Sequence, residues 1–481
     1  MELEPALHQQ HAQSQMMNVA AAAGVDHTHD PRLRSWVESA IPGQSPFPIQ
    51  NLPFGVFARD GGDAEPGIGI RIGDRILDLR AVERSWLRFP PSVTEALAAP
   101  TLNRVMALPP SERRLVRDRV SALLRAGGGD EAERRAVAAG ALMPVAQARM
   151  CLPAAVGSFV DFYACLNHAV TAGSVLRRGA PAPLLPNWHW MPLAYQGRAA
   201  SVVVGGTALR RPCGQSRPDR SAPPLFGPTR ELDYEAEIGA FVGPGCPAGQ
   251  RVAIDDAGAH ITGFVLVNDW SARDFQTWEG GPLGPLQSKS FATSISPWVI
   301  TSEALAPFRA PAFTRAAEDP APLPYLASEA DRRSGGLDMV VEAFIRTARM
   351  RSEDRPAHRV SRASARELYW TMQQMLTHLA SNGSGLSAGD LLASGTLSGT
   401  EDGTRGCLLE TTQRGRVPLA FEGETRGFLE DGDEVVLTAT CERDGFVPIG
   451  FGVCEGVVTP AIPPAIPPAA GSCVVPVRRG V

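Results

Sequence analysis

The sequence predicts a mainly β protein of more than one globular unit, with one helical stretch near its start. Three observations carry that expectation. Short apolar runs, many of them alternating, are punctuated by 48 Gly and 42 Pro residues, the pattern of strands joined by tight turns. Residues 84–148 depart from it, being rich in Ala, Arg and Leu at helical spacing. A length of 481 residues, 44% hydrophobic and 20% charged, suffices for two or three domains with a sizeable core.

In chain order, residues 1–30 read as a mobile N-terminal tail, in which His27-Thr-His29-Asp30 are solvated polar residues. Met16 and Met17 are alternative starts. An N-terminal domain over 31–153 opens with strands at Phe54–Phe57, Ile68–Ile72 and Arg75–Leu79, the last two joined by a Gly73-Asp74 hairpin turn. Gly67-Ile-Gly69-Ile-Arg-Ile-Gly73 has one residue too many for a dinucleotide loop, and a strand follows it, so that reading is rejected. A C-terminal domain over 154–460 carries strand-like runs at Ser201–Val204, Glu235–Val242, Thr262–Asn268, Ser296–Ile300, Asp338–Ile345, Asp390–Ser394 and Glu434–Thr440. An amphipathic helix is expected over Ala363–Ala380, with Leu368, Met372, Met375, Leu376 and Leu379 on one face. Residues 461–481 are a Pro-rich extension.

Composition excludes several classes. A net charge of −5 leaves no polycation for nucleic acid or anionic lipid. No apolar run approaches the ~20 residues that span a bilayer, and the N-terminus lacks a cationic start and apolar core, so a cytoplasmic protein is expected. The eight cysteines, at 151, 165, 213, 246, 407, 441, 454 and 473, form no CxxC pair and suit buried thiols in a reducing compartment. Among 46 basic residues Lys occurs once, at Lys289. A lone ammonium in an Arg-biased chain marks a place where a compact, three-donor head is needed, or is a chance remnant.

Three segments offer chemistry. Glu235 and Glu237 lie in the run Leu232–Val242, where period two puts both carboxylates on one face. Such a pair is either a solvated edge, or protonated, or shares a cation. Asp269 ends the apolar run Gly263–Asp269, and a helix then begins with Ser271 as N-cap and Arg273 and Gln276 on one face. If Phe159–His168 is helical, Asp161 and His168 lie two turns apart on one face, which makes His168 a base candidate. Gly385-Leu-Ser387-Ala-Gly389 matches the nucleophile-elbow pattern, but a helix precedes it and a strand follows, so it is a turn.

A longer string of motifs is specific. Ser35-Trp-Val, Phe47-Pro-Ile-Gln-Asn-Leu-Pro-Phe-Gly-Val-Phe57, Asp161-Phe-Tyr163, Tyr195-Gln-Gly-Arg, Glu235-Ala-Glu237, Asn268-Asp-Trp-Ser-Ala-Arg-Asp-Phe-Gln276, Gly284-Pro, Lys289-Ser-Phe and Leu391-Leu-Ala-Ser-Gly-Thr396 occur in an order that resembles the fumarylacetoacetase family. The resemblance implies a small N-terminal SH3-like barrel followed by a mixed β-sandwich roll, assembled as a homodimer. It implies a Mg²⁺ or Ca²⁺ held by Asp161, Glu235, Glu237 and Asp269, and oxygen-only ligands do suit a hard cation. Lys289 and Thr293 match positions of a second cation site, with Ala292 where Gly is usual. By the same matching His168 activates water and Glu410 orients it. Arg273, Gln276 and Lys289 stabilise the oxyanion and leaving carbanion, while Tyr163, Arg177, Tyr195 and Thr396 hold the substrate. The implied reaction is hydrolysis of a carbon–carbon bond in a small β-diketo acid, 4-fumarylacetoacetate above all, in tyrosine and phenylalanine breakdown. Gly280 replaces the usual Tyr, and Leu286-Gln287-Ser288 before Lys289 is also unusual, which leaves open another acylpyruvate or diketo acid, hydrolysed or decarboxylated. A silent metal-dependent binding protein is the reading from a different class.

Overall fold

The computed structural model describes residues 24–59, 65–82, 86–176, 182–219 and 221–462. Arg177, Met16, Met17 and nearly all of the Pro-rich extension lie outside the described residues. Near the N-terminus, β1 (Phe54–Arg59), β2 (Gly67–Ile72), β3 (Arg75–Asp78) and β4 (Leu142–Pro144) form an antiparallel meander. Ile72 pairs with Arg75 across the expected Gly73-Asp74 turn, and Gly73 takes the left-handed φ of 54° that this tight reversal needs. Helices at Pro91–Leu97, Asn103–Met106, Pro110–Leu124 and Glu131–Ala139 fill the stretch between β3 and β4. β5 (Ala148–Cys151) returns to pair with β1.

Strands beyond residue 153 follow: β6 (Phe159–Phe162), β7 (Ala194–Gly197), β8 (Ala236–Val242), β9 (Ile261–Asp269), β10 (Thr293–Ile295), β11 (Trp298–Thr301) and β12 (Leu391–Ala393). They join the N-terminal strands in one sheet of order β4-β3-β2-β1-β11-β9-β8-β12-β6-β7, with β10 beside β9. Among the described residues the N-terminal strands do not close into the expected barrel. β1 instead gives its second edge partly to β5 and partly to β11, where Phe54 meets Val299 and Gly55 meets Trp298. The two sequence domains are thus joined by backbone hydrogen bonds.

A second sheet packs on this one, in the order His358–Ser364, Met339–Arg346, Glu434–Cys441, Ile449–Thr459. Alternation assigns the faces. Ile238, Ala240, Phe264 and Leu266 share a core with Met339, Val341, Ala343 and Ile345 of the second sheet. Phe159, Phe241, Val265, Val267 and Leu391 point the other way, onto Val116, Val120 and Leu124 of the N-terminal helices. No helix among the described residues is long and apolar enough to cross a membrane.

Several local expectations are corrected. The helix expected over 363–380 begins only at Met372, because Thr371 and Gln374 form a capping box there and residues through Ser364 pair as a strand with Met339–Arg346. Phe159–His168 is not one helix. Asp161 is on β6, Tyr163 and Ala164 turn the chain by bonding Leu193 and Ser394, and His168 lies on the following helix, Leu166–Leu176. Ser271 is not an N-cap, since its hydroxyl donates to the Asp269 carbonyl and Ala272 is the N-cap of the helix that starts at Arg273. His27 is exposed as expected, but the residues that follow it are not a solvated tail. Thr28 and His29 are buried in a short 3-10 turn capped by Asp26, His29 Nε2 lies 2.9 Å from the Glu303 carbonyl, and Arg117 donates to Thr28 Oγ1, Gln50 O and Asn51 O. Polar residues bury here because each finds a partner.

Arg117→Met should therefore leave the buried carbonyls of Gln50 and Asn51 unpaired, at a cost of about 1–3 kcal/mol or more. Chemical denaturation measures it; an unchanged midpoint would show that water satisfies these groups.

Candidate active site and metal centre

Period two along three strands brings the acids together. Asp161 has the parity of Phe159 on β6, Glu237 that of Phe241 on β8, and Asp269 that of Val267 on β9, so all three face one side near the strand ends. Glu235 immediately precedes β8 rather than lying within it. Ligand oxygens of Asp161, Glu235 and Asp269 lie within 4.8 Å of one another, and Glu237 is fully buried beside them. The solvated-edge reading of Glu235 and Glu237 is thereby excluded.

Counter-charges come from the segment after β9. Lys289 Nζ bonds Glu235 Oε2 and lies 2.7 Å from Asp269 Oδ2. Tyr195, paired with Asp161 across β6 and β7, donates its hydroxyl to Asp269 Oδ2 at 2.6 Å, and Thr293 Oγ1 donates to Asp269 Oδ1 at 2.9 Å. Arg273 reaches Glu235 Oε1 at 2.7 Å and Asp233 Oδ2 at 2.9 Å, and it donates to Gln276 Oε1 at 3.1 Å.

These contacts divide the acids. Burial lifts the carboxyls of Asp161 and Glu237 well above the ordinary range; Asp269 and Glu235 push Asp161 further, and Asp161 and Glu235 do so to Glu237. Burial works the same way on Glu235, but Lys289 and Arg273 outweigh it and hold that carboxyl below its usual range. Burial opposes the Lys289 ammonium, yet Asp269 and Glu235 raise its pKa and keep it protonated. Asp161 Oδ1 and both Glu237 oxygens are buried with no hydrogen-bond partner. An all-oxygen cluster with orphaned lone pairs and more acid than base fits a hard divalent cation.

A second constellation stands beside it. His168 Nδ1 lies 2.7 Å from Glu410 Oε2, and the same carboxylate oxygen accepts from Ser398 Oγ at 2.7 Å and Cys407 Sγ at 3.2 Å. Burial would raise Glu410, but His168 and these donors depress it, so it is a carboxylate. The ring of Tyr163 meets His168 edge-on at 5.3 Å, and its hydroxyl donates to Ala169 O. Thr396 follows Gly395, whose φ of 77° sets the Phe162 carbonyl where a Cβ would stand; Thr396 Oγ1 is buried without a partner.

Sequence reasoning missed the group that joins the two constellations. Asp233 is fully buried and accepts from Arg273, from Leu408 N at 2.7 Å and from Leu409 N at 2.9 Å, so it grips the start of the turn that carries Glu410. No local pattern marks it, because its amide partners at Leu408 and Leu409 lie far along the chain. Gly280, where the resemblance expects a Tyr, ends the helix Arg273–Glu279; a Cβ there would stand 2.6 Å from the Gln276 carbonyl oxygen. A Tyr at this position thus requires the last helical turn to shift, beyond adding a contact.

Raised carboxyls have a measurable consequence. Asp161 and Glu237 keep protons in the folded state that the unfolded chain releases near ordinary carboxylate pKa values. In chelator the stability should fall as pH rises from that range toward their folded pKa values. A divalent cation replaces those protons, so its stabilising effect should grow with pH. Thermal denaturation with and without Mg²⁺, from mildly acidic to mildly alkaline pH, checks this; a pH-independent metal effect would refute it.

With this geometry in place, comparison with known proteins is direct. Residues 158–459 match the family Fumarylacetoacetate (FAA) hydrolase C-terminal, and residues 50–153 match Fumarylacetoacetase N-terminal. The fumarylacetoacetase of Oryza sativa subsp. japonica is 42% identical over 433 residues, covering 89% of this chain and 98% of that protein. Those of Bos taurus and Homo sapiens are 44% and 43% identical over 424 residues, each covering 87% of this chain and 97% of their own. The chain therefore belongs to the fumarylacetoacetase family.

Proposed function

We propose that the chain hydrolyses 4-fumarylacetoacetate to fumarate and acetoacetate, cleaving a carbon–carbon bond next to an oxo group. The observation that carries this reading is the adjacency of a base–carboxylate pair, His168 and Glu410, to an acid cluster with orphaned oxygens. Mere binding of a metal would need no such pair.

Glu410, held as a carboxylate, accepts the Nδ1 proton of His168 and so leaves Nε2 as the free base. His168 Nε2 takes a proton from water as the oxygen adds to the substrate carbonyl, a contribution of ~10²–10⁴-fold. Negative charge then develops on the substrate's former carbonyl oxygen. Lys289 donates to it, Gln276 donates through the amide nitrogen left free by its bond to Arg273, and Arg273 adds positive charge while holding Glu235 and Gln276 in place. Collapse breaks the carbon–carbon bond, and the His168 imidazolium returns its proton to the leaving carbon. Tyr163, Arg177, Tyr195 and Thr396 are the substrate-holding side chains. Asp161, Glu235, Glu237 and Asp269 would hold Mg²⁺ or Ca²⁺, which when bound supplies Lewis acidity toward the substrate's oxo groups. Thr293 and Lys289 serve this centre through Asp269. The assembly is a homodimer in the cytoplasm, and the substrate is its small-molecule partner.

His168→Ala should lower kcat by ~10²–10⁴-fold at unchanged metal content. Steady-state kinetics with metal analysis tests this, and turnover like the parent's would assign water activation elsewhere. Lys289→Arg keeps the charge but puts a wide fork where a compact head bridges two carboxylates, so most of kcat should be lost, with Lys289→Met slightly worse. An arginine variant as fast as the parent, with circular dichroism as control, would make the single lysine an accident of composition. Product analysis with other diketo acids decides the substrate: cleavage of those alone would overturn the named one.

A further inference from the structure

Lys289 is delivered by a surface turn with little packing of its own, since Leu283 and Leu286 beside it are exposed. One side chain holds that turn. Glu279 accepts from Leu286 N at 2.8 Å, Gln287 N at 3.1 Å, Ser288 N at 2.8 Å and Ser288 Oγ at 2.7 Å. Its two oxygens thus satisfy three successive amides that open the turn, the job an N-cap does for a helix. Leu286 O in turn accepts from Ser290 N, and Ser288 O accepts from Ala272 N, which fixes the segment's far side. Glu279 is the last residue of the helix that starts with Arg273 and carries Gln276. A single carboxylate therefore ties the helix bearing Arg273 and Gln276 to the turn bearing Lys289.

The geometry points to Glu279 as a positioning residue that sets Lys289 against Glu235 and Asp269, and so aligns the lysine head with Gln276 and Arg273. The inference rests on the reaction proposed above, but the clamp has a readout of its own. Glu279→Gln keeps the shape while presenting an NH₂ to amides that need an acceptor, so the turn loosens. Ser288→Ala removes one of the four bonds and should act in the same direction, less strongly.

Because the chain contains one lysine, selective ¹³Cε/¹⁵Nζ lysine labelling yields a single side-chain NMR signal. In Glu279→Gln this signal should shift or broaden at unaltered circular dichroism, with a smaller change in Ser288→Ala. On 4-fumarylacetoacetate kcat should fall about 10²-fold, the scale of an ~1 Å misplacement of a catalytic group, with KM little changed. In the Lys289→Met background Glu279→Gln should cost nothing further, because a residue acting through the lysine has no lysine to act on. A lysine signal identical to the parent's, or a loss in Lys289→Met as large as in the parent, would overturn the proposal. If the parent itself does not turn over this substrate, the reaction is wrong, while the lysine signal still decides the clamp.

Discussion

Burying four carboxylates on one side of a sheet is the constraint on which the rest of the structure depends. At least two of them, Asp161 and Glu237, are pushed toward their neutral forms by burial and by neighbouring carboxylates. Positive charge must enter, and there are two places for it: the side occupied by Lys289 and Arg273, and the side of the orphaned oxygens. The protein's own cations take Glu235 and Asp269 and leave Asp161 and Glu237 unsatisfied. That division leaves room for a divalent cation on the side of Asp161 and Glu237.

Asp233 extends this electrostatic arrangement to the His168–Glu410 pair. It fixes Arg273 from behind and also grips the backbone at Leu408 and Leu409, two residues ahead of Glu410. The orientation of the base–carboxylate pair and the placement of the guanidinium are therefore one problem solved by one buried carboxylate. Ser398 and Cys407 finish it by occupying the Glu410 oxygen that faces His168, so that His168 has a single partner geometry.

Much of this was legible in the sequence, for identifiable reasons. Alternation survives burial, so the shared face of Glu235 and Glu237 and the terminal position of Asp269 could be read directly. Lys289 stood out because every other cation is Arg. What escaped was polar side chains whose partners are backbone groups far along the chain: Asp233 with the amides at 408 and 409, His29 with the carbonyl at 303. No local pattern announces such a bond. Periodicity also misled where two periods abut, at 363–371, where a strand ends and a capping box begins only at Thr371. The barrel expectation came from resemblance; the described strands do not close, and β1 divides its second edge between β5 and β11.

That last pairing has a consequence for synthesis. The N-terminal meander is translated first, yet the edge of β1 at Phe54 and Gly55 is completed by Trp298 and Val299. Until those residues leave the ribosome, part of an apolar strand edge stays unpaired and open to the wrong neighbour. Completion of this sheet thus waits on contacts far apart in sequence, and a nascent fragment ending before β11 would leave that part of the β1 edge without its partner.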